Sequence, residues 1–442
     1  MKIQIKEVDE EQMIWKNVMS THFNLSYNKT RSFEPIVSFL VQCYGCGKER
    51  EIRSFVTNAM RAVKIGATCL KVPRRSCTYT GNLQKISYTR MMQLLDCMEQ
   101  DGYINLFIGG VMSWTEDGQP DDLETSITEM TEKFFDLLKS VDISRVVCKD
   151  EMQEIEIKER GTKKTMKTQG VKGVSCMRQN VLDFNTALIA SRISLKGIDL
   201  PDQKYKRVFI ENLRTGGRWY NSVGGVQTMD KTLRPFLQID NQDLVELDFK
   251  AMHANILYEQ IGARLEKDFD PYAVDLWEMY VDPNSVQQFK VRHGITNYDP
   301  GRNLVKMAVM IGLNAKDQKG AIRALSQKIG QDRSKYGTKD EHKALYYGIR
   351  GEDFKQIFNA ILEHNSLIAD KFFKDSGVYL QFVDSEILDS VISDTLAINE
   401  VLLPYHDGLL VKASVAEQVK GFMYKAWYKQ LGSINFCKVE TK

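Results

Sequence analysis

The chain of 442 residues lacks any apolar run that approaches the roughly 18 residues needed to span a bilayer. Its first residues, Met1-Lys-Ile-Gln-Ile-Lys, also lack the apolar core of a secretory signal. We therefore expect a cytoplasmic protein with no membrane partner. Repeats and low-complexity tracts are absent too, and the formal net charge is only +2. Nucleic-acid binding is then expected only where positive charge clusters, because a binding groove needs a local field rather than a high net charge.

Hydrophobic residues make up 43% and charged residues 27% of the chain, as in an ordinary globular protein with a sizeable core. The eight cysteines are expected to be reduced thiols. Cys43-Tyr-Gly-Cys46 forms one CxxC pair, and Cys69 and Cys77 could complete a four-thiolate zinc site. The spacing of that second pair does not suit a zinc knuckle. Four separate buried or surface thiols are therefore the alternative.

Residues 1–150 are predicted to form a separate, mostly helical α+β region. Ser87 can cap a helix with apolar residues at helical spacing, Gly102 can end it, and the alternation over 103–108 suits a hairpin. This order resembles the last helix and wing of a winged-helix nucleic-acid-binding module. An ordinary helix–strand corner explains it equally well.

Residues 151–204 are predicted to be a basic linker and a thumb-like connection. Within them, 157–178 carries seven cationic residues against one acid and few large apolar side chains. This composition indicates a linker or an exposed hairpin tip that contacts phosphates, or simply a solvated loop.

Two aspartates lie at the end of a predicted strand and at the tip of a predicted hairpin. Asp248 ends a predicted strand over 244–249, just before a predicted helix over 252–260. A carboxylate there can hold a divalent cation, although many strands end in Asp merely to cap the next helix. Asp407 follows His406 at the tip of a predicted hairpin over 401–411, where Asp-Gly is also a common turn.

A cationic helical stretch is predicted over 300–330. Arg302 and Lys306 lie four residues apart on one helix face, which Met310 and Asn314 extend. Two cations followed by uncharged side chains could grip a triphosphate and then a base and sugar. The alternative is an amphipathic helix with a solvated basic edge.

The order of these motifs resembles the single-subunit polymerase superfamily, which comprises DNA polymerase I-like (family A) enzymes and bacteriophage-type RNA polymerases. Asp248-Phe-Lys-Ala-Met-His253 is similar to the first Asp motif, Arg302-Asn-Leu-Val-Lys306 to the fingers helix and His406-Asp407 to the last hairpin. Arg214-Thr-Gly-Gly-Arg218 resembles the segment that lies along the primer–template. The resemblance covers about 200–442 and suggests a divergent branch typical of phages and mobile genetic elements.

The resemblance implies a template-directed DNA polymerase that extends a primer by two-metal-ion chemistry. The metal ligands would be Asp248, the Phe249 carbonyl and Asp407, holding two Mg²⁺ ions with Mn²⁺ as a substitute. Lys306 would also protonate the leaving pyrophosphate. The incoming nucleotide would be bound by Arg302, Lys306, Met310, Asn314 and His253. The DNA primer–template would be contacted by Arg214, Arg218, Gln227, Gln381 and His406.

Two departures from the family pattern leave the sugar open. Gly408 stands where the DNA enzymes carry a third acid, and His253 stands where they carry a sugar-excluding Glu. An RNA polymerase or primase-polymerase that uses ribonucleotides is therefore an alternative. A non-catalytic replication-initiation or DNA-binding adaptor is another, and a phosphodiesterase that uses the same aspartates is a third. No carboxylate set in the first half suggests a proofreading exonuclease, and a small accessory protein is a plausible partner.

The implied fold is α+β, a right-hand polymerase with an antiparallel palm sheet and helical fingers. The palm would comprise 205–264 and 365–442, and the fingers 265–364. The N-terminal region would stand apart from both.

Overall fold

The computed structural model describes most of the chain. The longer described ranges are 33–74, 76–79, 84–107, 125–139, 153–162, 164–221, 233–266, 268–276, 283–293, 299–335, 349–405 and 408–442. Shorter described pieces are residues 16, 19–22, 113–114, 120–122, 226–227, 229 and 346. In these ranges, no helix combines the length and the apolar character required to cross a membrane.

Helices and strands both contribute, so the fold is α+β. The helices are α1 (Glu34–Tyr44), α2 (Glu49–Lys64), α3 (Tyr88–Gln100), α4 (Glu132–Leu138), α5 (Val174–Ala190), α6 (Met252–Gln260), α7 (Pro283–His293), α8 (Pro300–Asn314), α9 (Gln318–Lys335), α10 (Glu352–His364), α11 (Gly377–Leu396) and α12 (Ala416–Leu431). The strands are β1 (Ser20–His22), β2 (Cys69–Pro73), β3 (Ile104–Phe107), β4 (Ser113–Trp114), β5 (Pro120–Asp122), β6 (Thr125–Met130), β7 (Ile155–Lys158), β8 (Ile193–Leu195), β9 (Ile198–Asp199), β10 (Tyr205–Ile210), β11 (Asn212–Asn221), β12 (Leu237–Ile239), β13 (Gln242–Phe249), β14 (Leu402–Tyr405), β15 (Gly408–Lys412) and β16 (Val439–Thr441).

The N-terminal part packs its helices on a four-stranded sheet with the order β1-β2-β6-β3. Ser87 caps α3 by accepting a hydrogen bond from the Arg90 backbone N–H at 3.5 Å, as predicted. Gly102 follows the helix with φ +75°, a conformation that glycine adopts without steric cost. β3 then pairs antiparallel with β6, which lies beyond the short β4–β5 pair. The predicted helix end followed by a strand is therefore present. The winged-helix assignment stays a prediction.

Two hydrophobic cores are separate in the described residues. One is built from side chains between Phe33 and Leu138, and the other from side chains between Ile155 and Val439. The parts touch where the Asp202 backbone N–H donates to the Ile65 carbonyl at 2.8 Å. Each core is contiguous within its own stretch of chain, so the fold is built in two successive pieces.

The main sheet of the second part has seven strands in the order β14-β15-β13-β12-β8-β9, with β16 also paired to β13. β13 lies at its centre, antiparallel to β15 along one edge and to β16 along the other. The strand, the following α6 and the β14–β15 hairpin all form where the sequence predicted them. The sheet therefore brings residues near 248 and 408 together.

The antiparallel palm sheet expected from 205–264 and 365–442 does not include the first two strands of that range. β10 and β11 belong to a separate three-stranded sheet with β7, which runs parallel to β10. The β10–β11 register shifts at Val208/Phe209 and at Phe209/Ile210, next to Gly216 and Gly217 with φ of +72° and +86°. A bulge of this kind bends a strand pair and increases its twist.

In the described residues, the basic segment 157–178 has regular secondary structure only at its two ends. It begins in β7, an isolated antiparallel β-bridge pairs Lys158 with Thr165, and α5 begins at Val174. The backbone N–H of Met166 donates to the Ile157 carbonyl at 2.7 Å. Of the two predicted forms, an exposed hairpin tip fits these contacts and a linker does not.

The cationic stretch predicted over 300–330 is two helices rather than one. Asp299 caps α8 by accepting from the Arg302 backbone N–H at 2.9 Å. Asp317 accepts from the Gly320 backbone N–H at 2.7 Å, so a second helix begins there. Aspartate at such a position satisfies otherwise unbonded amides, and this ends the continuous helix predicted from the charge pattern.

Candidate active site

Asp248 lies at the end of the central strand, on the face opposite the hydrophobic core. Its neighbours Leu247 and Phe249 are buried at 0% and 3% exposure, whereas Asp248 and Glu246 are partly exposed. Alternation along a strand places these two pairs on opposite faces. Ala251 then adopts a left-handed conformation with φ +48°, which turns the chain sharply into α6.

The partner of Asp248 on β15 is Gly408, and its partner on β16 is Glu440. A Cβ atom at position 408 would lie 3.0 Å from the Leu247 carbonyl oxygen and 3.3 Å from Oδ1 of Asp248. Both are tighter than ordinary contacts, so glycine allows the hairpin to approach Asp248 closely. The two residues before Gly408, His406 and Asp407, lie outside the described residues.

Positive side chains lie beside the carboxylates on this face. Nζ of Lys442 contacts Oδ2 of Asp248 and lies 3.3 Å from Oε1 of Glu246. Nζ of Lys250 lies 3.2 Å from Oε1 of Glu440. Burial lowers the pKa of Lys442, but the carboxylates of Asp248 and Glu246 outweigh it and raise that pKa overall. The carboxylate of Asp248 therefore already has a cation as its partner.

The donor set suits a hard cation, but it is incomplete by itself. Within the described ranges, no three His, Cys, Asp or Glu side chains are grouped so that they could hold a metal ion. Asp248 offers carboxylate oxygens and Phe249 a backbone carbonyl, the ligand types that Mg²⁺ prefers. The second carboxylate predicted for this site is that of Asp407.

The C-terminal strand beside Asp248 is fastened to α6 by a buried carboxylate. Glu259 accepts hydrogen bonds from Trp427 Nε1 at 3.0 Å and from the backbone N–H groups of Phe436 at 2.8 Å and Asn435 at 3.2 Å. The hydroxyl of Ser433 also donates to it. Four donors converge on one side chain, which fixes the loop that leads into β16.

The predicted nucleotide-binding residues of α8 do not all point to one place. Nη1 of Arg302 lies 3.0 Å from Oδ2 of Asp270, and its guanidinium lies 5.3 Å from the Tyr272 ring centroid. Lys306 is exposed one turn later. Arg302 is therefore held by an acid and an aromatic ring, while Lys306 faces solvent.

The other two predicted residues of this helix, Met310 and Asn314, are half-buried. Nδ2 of Asn314 donates to the Met310 carbonyl at 2.8 Å. The Asn314 side chain also lies so close to Gly377 that a Cβ there would be 1.8 Å from its Oδ1. Asn314 thus joins α8 to the start of α11, and its amide is already used.

Three side chains from three elements meet in a buried polar cluster. Nε2 of His253 on α6 lies 2.8 Å from Oδ2 of Asp384 on α11. Arg218 on β11 donates to the same oxygen at 2.9 Å from Nη2 and 3.3 Å from Nε. Desolvation raises the pKa of Asp384, but Arg218 and His253 outweigh it and lower that pKa overall. Arg218 and His253, predicted separately for primer and nucleotide, are therefore partners of one carboxylate.

Asp384 was missed by the sequence analysis. It lies on α11 among buried apolar residues, between Leu380 and Ile387 at helical spacing. Aspartate is rarely fully buried without a partner, so an acid on the apolar face of a helix predicts a buried cation nearby. The acid on the apolar face of this helix was therefore the sequence signal that could have identified Asp384.

A second ion cluster lies next to it on the same helix. Arg207 of β10 is fully buried and donates to the Gly217 carbonyl at 2.9 Å and to Glu386 at 2.7 Å. Its Nη1 lies 3.3 Å from Asp389. A Cβ at Gly217 would be 2.8 Å from the Ser385 hydroxyl, so the glycine allows α11 to approach the strand. Two arginines of one strand pair are thus fastened to one helix.

The remaining primer–template candidates differ in accessibility. Gln227 accepts from the Asn221 backbone N–H at 2.8 Å and donates to the Trp219 carbonyl at 2.9 Å. Its amide therefore extends β11. Arg214 is exposed and Gln381 is half-buried on α11, and both stay predictions.

The zinc site suggested for Cys43, Cys46, Cys69 and Cys77 stays a prediction. Cys69 is buried in β2, and burial raises the pKa of its thiol to about 11. Cys43 is exposed, and the side chains of Cys46 and Cys77 lie outside the described residues.

Comparison with known proteins adds little. No protein family matches the chain, and no curated protein matches it. Among solved structures, the chain is similar to the POL domain of Pol1 from M. smegmatis, determined in complex with DNA primer-template and dNTP. The TM-score is 0.28 at 9% identity, over 61% of this chain and 50% of that domain. The chain spans about half the length of that domain, and at this TM-score the likeness carries no argument.

Proposed function

We propose that the protein is a template-directed DNA polymerase of the single-subunit, DNA polymerase I-like type. The observation that supports it is the register of the central strand, in which Asp248 lies opposite Gly408. Asp407 is bonded to Gly408, so the chain connection keeps it one residue from the position opposite Asp248. Two aspartates 159 positions apart (407 − 248) would then share one site.

The reaction joins the primer 3′ hydroxyl oxygen to the α-phosphorus of a nucleoside triphosphate. The bond from that phosphorus to the pyrophosphate oxygen breaks, and the hydroxyl proton is lost. Two Mg²⁺ ions bound by Asp248, Asp407 and the Phe249 carbonyl would neutralise the charge that develops on the phosphoryl oxygens. Lys442, whose ammonium now contacts Asp248, would have to give up that contact.

The chain's own residues would orient the reactants. Lys306 is exposed and free to approach a triphosphate, and it is the candidate that protonates the leaving pyrophosphate. Arg302 would need to leave Asp270 before it could bind a phosphate. Arg302 would then pair with a phosphate instead of the Asp270 carboxylate, so its charge would stay paired.

The sugar of the substrate is the open part of the proposal. His253, five residues after Asp248, is buried against Asp384. Gly408 supplies no third carboxylate. We therefore propose deoxynucleotides as the main substrate and ribonucleotides, with or without a primer, as the alternative that the test must separate.

The test is extension of a labelled primer–template with Mg²⁺ and either deoxy- or ribonucleotides. Asp248→Ala and Asp407→Ala should each lower the rate by at least about a hundredfold, because bound metal stabilises the transition state by several kcal/mol. Asp243→Ala, at an exposed position of the same strand, is the control and should leave the rate unchanged. Wild-type protein that binds DNA without extending it would favour the adaptor. A shortened primer would favour a phosphodiesterase.

A further inference from the structure

The cluster of Arg218, His253 and Asp384 is built so that one carboxylate orients two other side chains. All three side chains are nearly buried, with exposures of 13%, 3% and 7%. Oδ2 of Asp384 takes hydrogen bonds from both partners, and Nη2 of Arg218 lies 3.4 Å from Nε2 of His253. Because the cluster is nearly buried, breaking the ion pair between Arg218 and Asp384 is strongly unfavourable.

The hydrogen-bond pattern also fixes the ring of His253. An ionised carboxylate only accepts, so Nε2 of His253 carries the proton that points to Asp384. The other ring nitrogen, Nδ1, is buried and has no hydrogen-bond partner among the described residues. A buried polar atom without a partner is costly, and a ligand hydroxyl that bonded to it would remove that cost.

We propose that Asp384 is a positioning residue, which holds Arg218 and His253 as one unit so that Nδ1 of His253 meets a hydroxyl of the nucleotide sugar. This rests on the proposed polymerase function and adds a determinant of sugar selection to it. Asp384 itself touches no substrate. It acts through the ring of His253 and the guanidinium of Arg218, which bind the nucleotide and the primer end.

The neighbouring ion cluster on α11 provides a structural comparison. Arg207 donates to the Gly217 carbonyl and pairs with Glu386 and Asp389. Its Nη1, like Nδ1 of His253, has no hydrogen-bond partner among the described residues. None of Arg207, Glu386 and Asp389 belongs to the motifs that suggested a polymerase. Asp389 lies five residues after Asp384 on the same helix and also pairs with an arginine. It is therefore a matched control for the loss of a buried carboxylate.

The test compares Asp384→Asn, His253→Gln and the double variant in steady-state primer extension. Asp384→Asn should raise KM for the nucleotide roughly ten- to a hundredfold, the range for a hydrogen bond to a charged group, with a smaller change in kcat. It should shift the ratio of kcat/KM for ribo- and deoxynucleotides as far as His253→Gln does. The double variant should be no worse than either single variant, because both changes disable one unit.

Two results would overturn the proposal while leaving the polymerase function intact. One is an unchanged ribo/deoxy ratio in folded Asp384→Asn, and the other is a double variant whose effects multiply. Asp389→Asn should lower the melting temperature without moving KM or the ratio. If it moved them equally, Asp384 would have only a structural role. Should Asp384→Asn fail to fold, Arg218→Lys keeps the cation but loses the planar fork, and it must shift KM in the same direction.

The wild-type protein alone tests whether the proposed polymerase function is correct. If wild type extends no primer with either nucleotide, the polymerase proposal fails. Fluorescence anisotropy with a labelled primer–template and a labelled deoxynucleotide then decides the positioning role. Weaker binding by Asp384→Asn, equal to that of Arg218→Lys and not increased in the double variant, supports the unit. Unchanged binding overturns it.

Discussion

Asp384 and His253 are 131 positions apart in the chain, yet Oδ2 of one lies 2.8 Å from Nε2 of the other. Arg218, on strand β11 of the three-stranded sheet, also pairs with Asp384. The cluster therefore joins the bulged strand β11, the helix that follows Asp248 and the long helix α11. Its loss should be visible both in stability and in the geometry near Asp248.

The Asp384 carboxylate should make stability depend on pH. Its pKa in the folded protein is below the ordinary value of 3.8, so its stabilisation is fully present above that value and is lost as pH falls through the folded pKa. Replacing it by Asn should cost roughly 3–5 kcal/mol at neutral pH, because the substitution breaks a buried ion pair by removing its anion. Urea unfolding of both proteins at a series of pH values measures the difference.

The shape of that pH dependence is the critical result. The gap between wild type and Asp384→Asn should be constant from pH 7 to about 5 and should narrow below 3.8. A gap that stays constant down to pH 3 would contradict a lowered pKa of the Asp384 carboxyl in the folded protein.

Lys442 is expected to compete with a metal ion for Asp248. Lys442→Met removes an ammonium that contacts Asp248 and lies 3.3 Å from Glu246. Because the pair is partly exposed, the apparent affinity for Mg²⁺ should rise only roughly two- to fivefold. Isothermal titration with Mg²⁺ measures it. Lys425→Met, which breaks a surface pair with Asp394, should leave the affinity unchanged, and equal affinities in all three proteins would refute the competition.

Gly217 should resist substitution by alanine. Its φ is +86°, and an added Cβ would lie 2.7 Å from Cε1 of Phe209 and 2.8 Å from Oγ of Ser385. Strain of this kind costs about 1–3 kcal/mol, to which the displaced side chains add. Gly421→Ala is the matched control, because it lies on helix α12 with nothing within 4 Å, and it should gain roughly 0.5–1 kcal/mol. Thermal unfolding compares the two, and equal effects would contradict the close packing.

Glu259→Gln should loosen the strand that borders Asp248. The carboxylate accepts hydrogen bonds from four groups, those of Trp427, Ser433, Asn435 and Phe436. The amide of Gln would instead direct its own N–H group toward some of these donors. Each buried group left without a partner costs about 1–3 kcal/mol. Hydrogen exchange of the amides at 433–441 should accelerate, while Glu363→Gln on the exposed side of α10 should not change it. Protection that is unaffected by Glu259→Gln would show that β16 is held by other contacts.

Local patterns in the sequence predicted local structure well. The alternation at 244–249, the cap at Ser87 and the hairpin at 401–411 each depend on neighbouring residues alone, and each forms as predicted. The break between α8 and α9 was missed, because the charge pattern continues across it while the Asp317 cap interrupts the backbone.

Most other long-range relationships could not be predicted from the sequence. The β10–β11 pair lies in a separate sheet with β7, and nothing in its alternation reveals that. His253 was expected at a sugar and Arg218 along a primer, but both are held by Asp384, a residue with no motif of its own. The only sequence indication of such a distant buried ion pair is indirect, namely an acid on the apolar face of a helix.

The helices between 261 and 376 form a long excursion whose two ends are fastened together. Nε2 of Gln260, at the end of α6, donates to the Tyr379 hydroxyl at 3.0 Å, and the Tyr258 hydroxyl donates to Oδ1 of Asn365 at 2.8 Å. Hydrogen bonds thus hold both ends of the excursion against α6, the helix that follows the strand of Asp248.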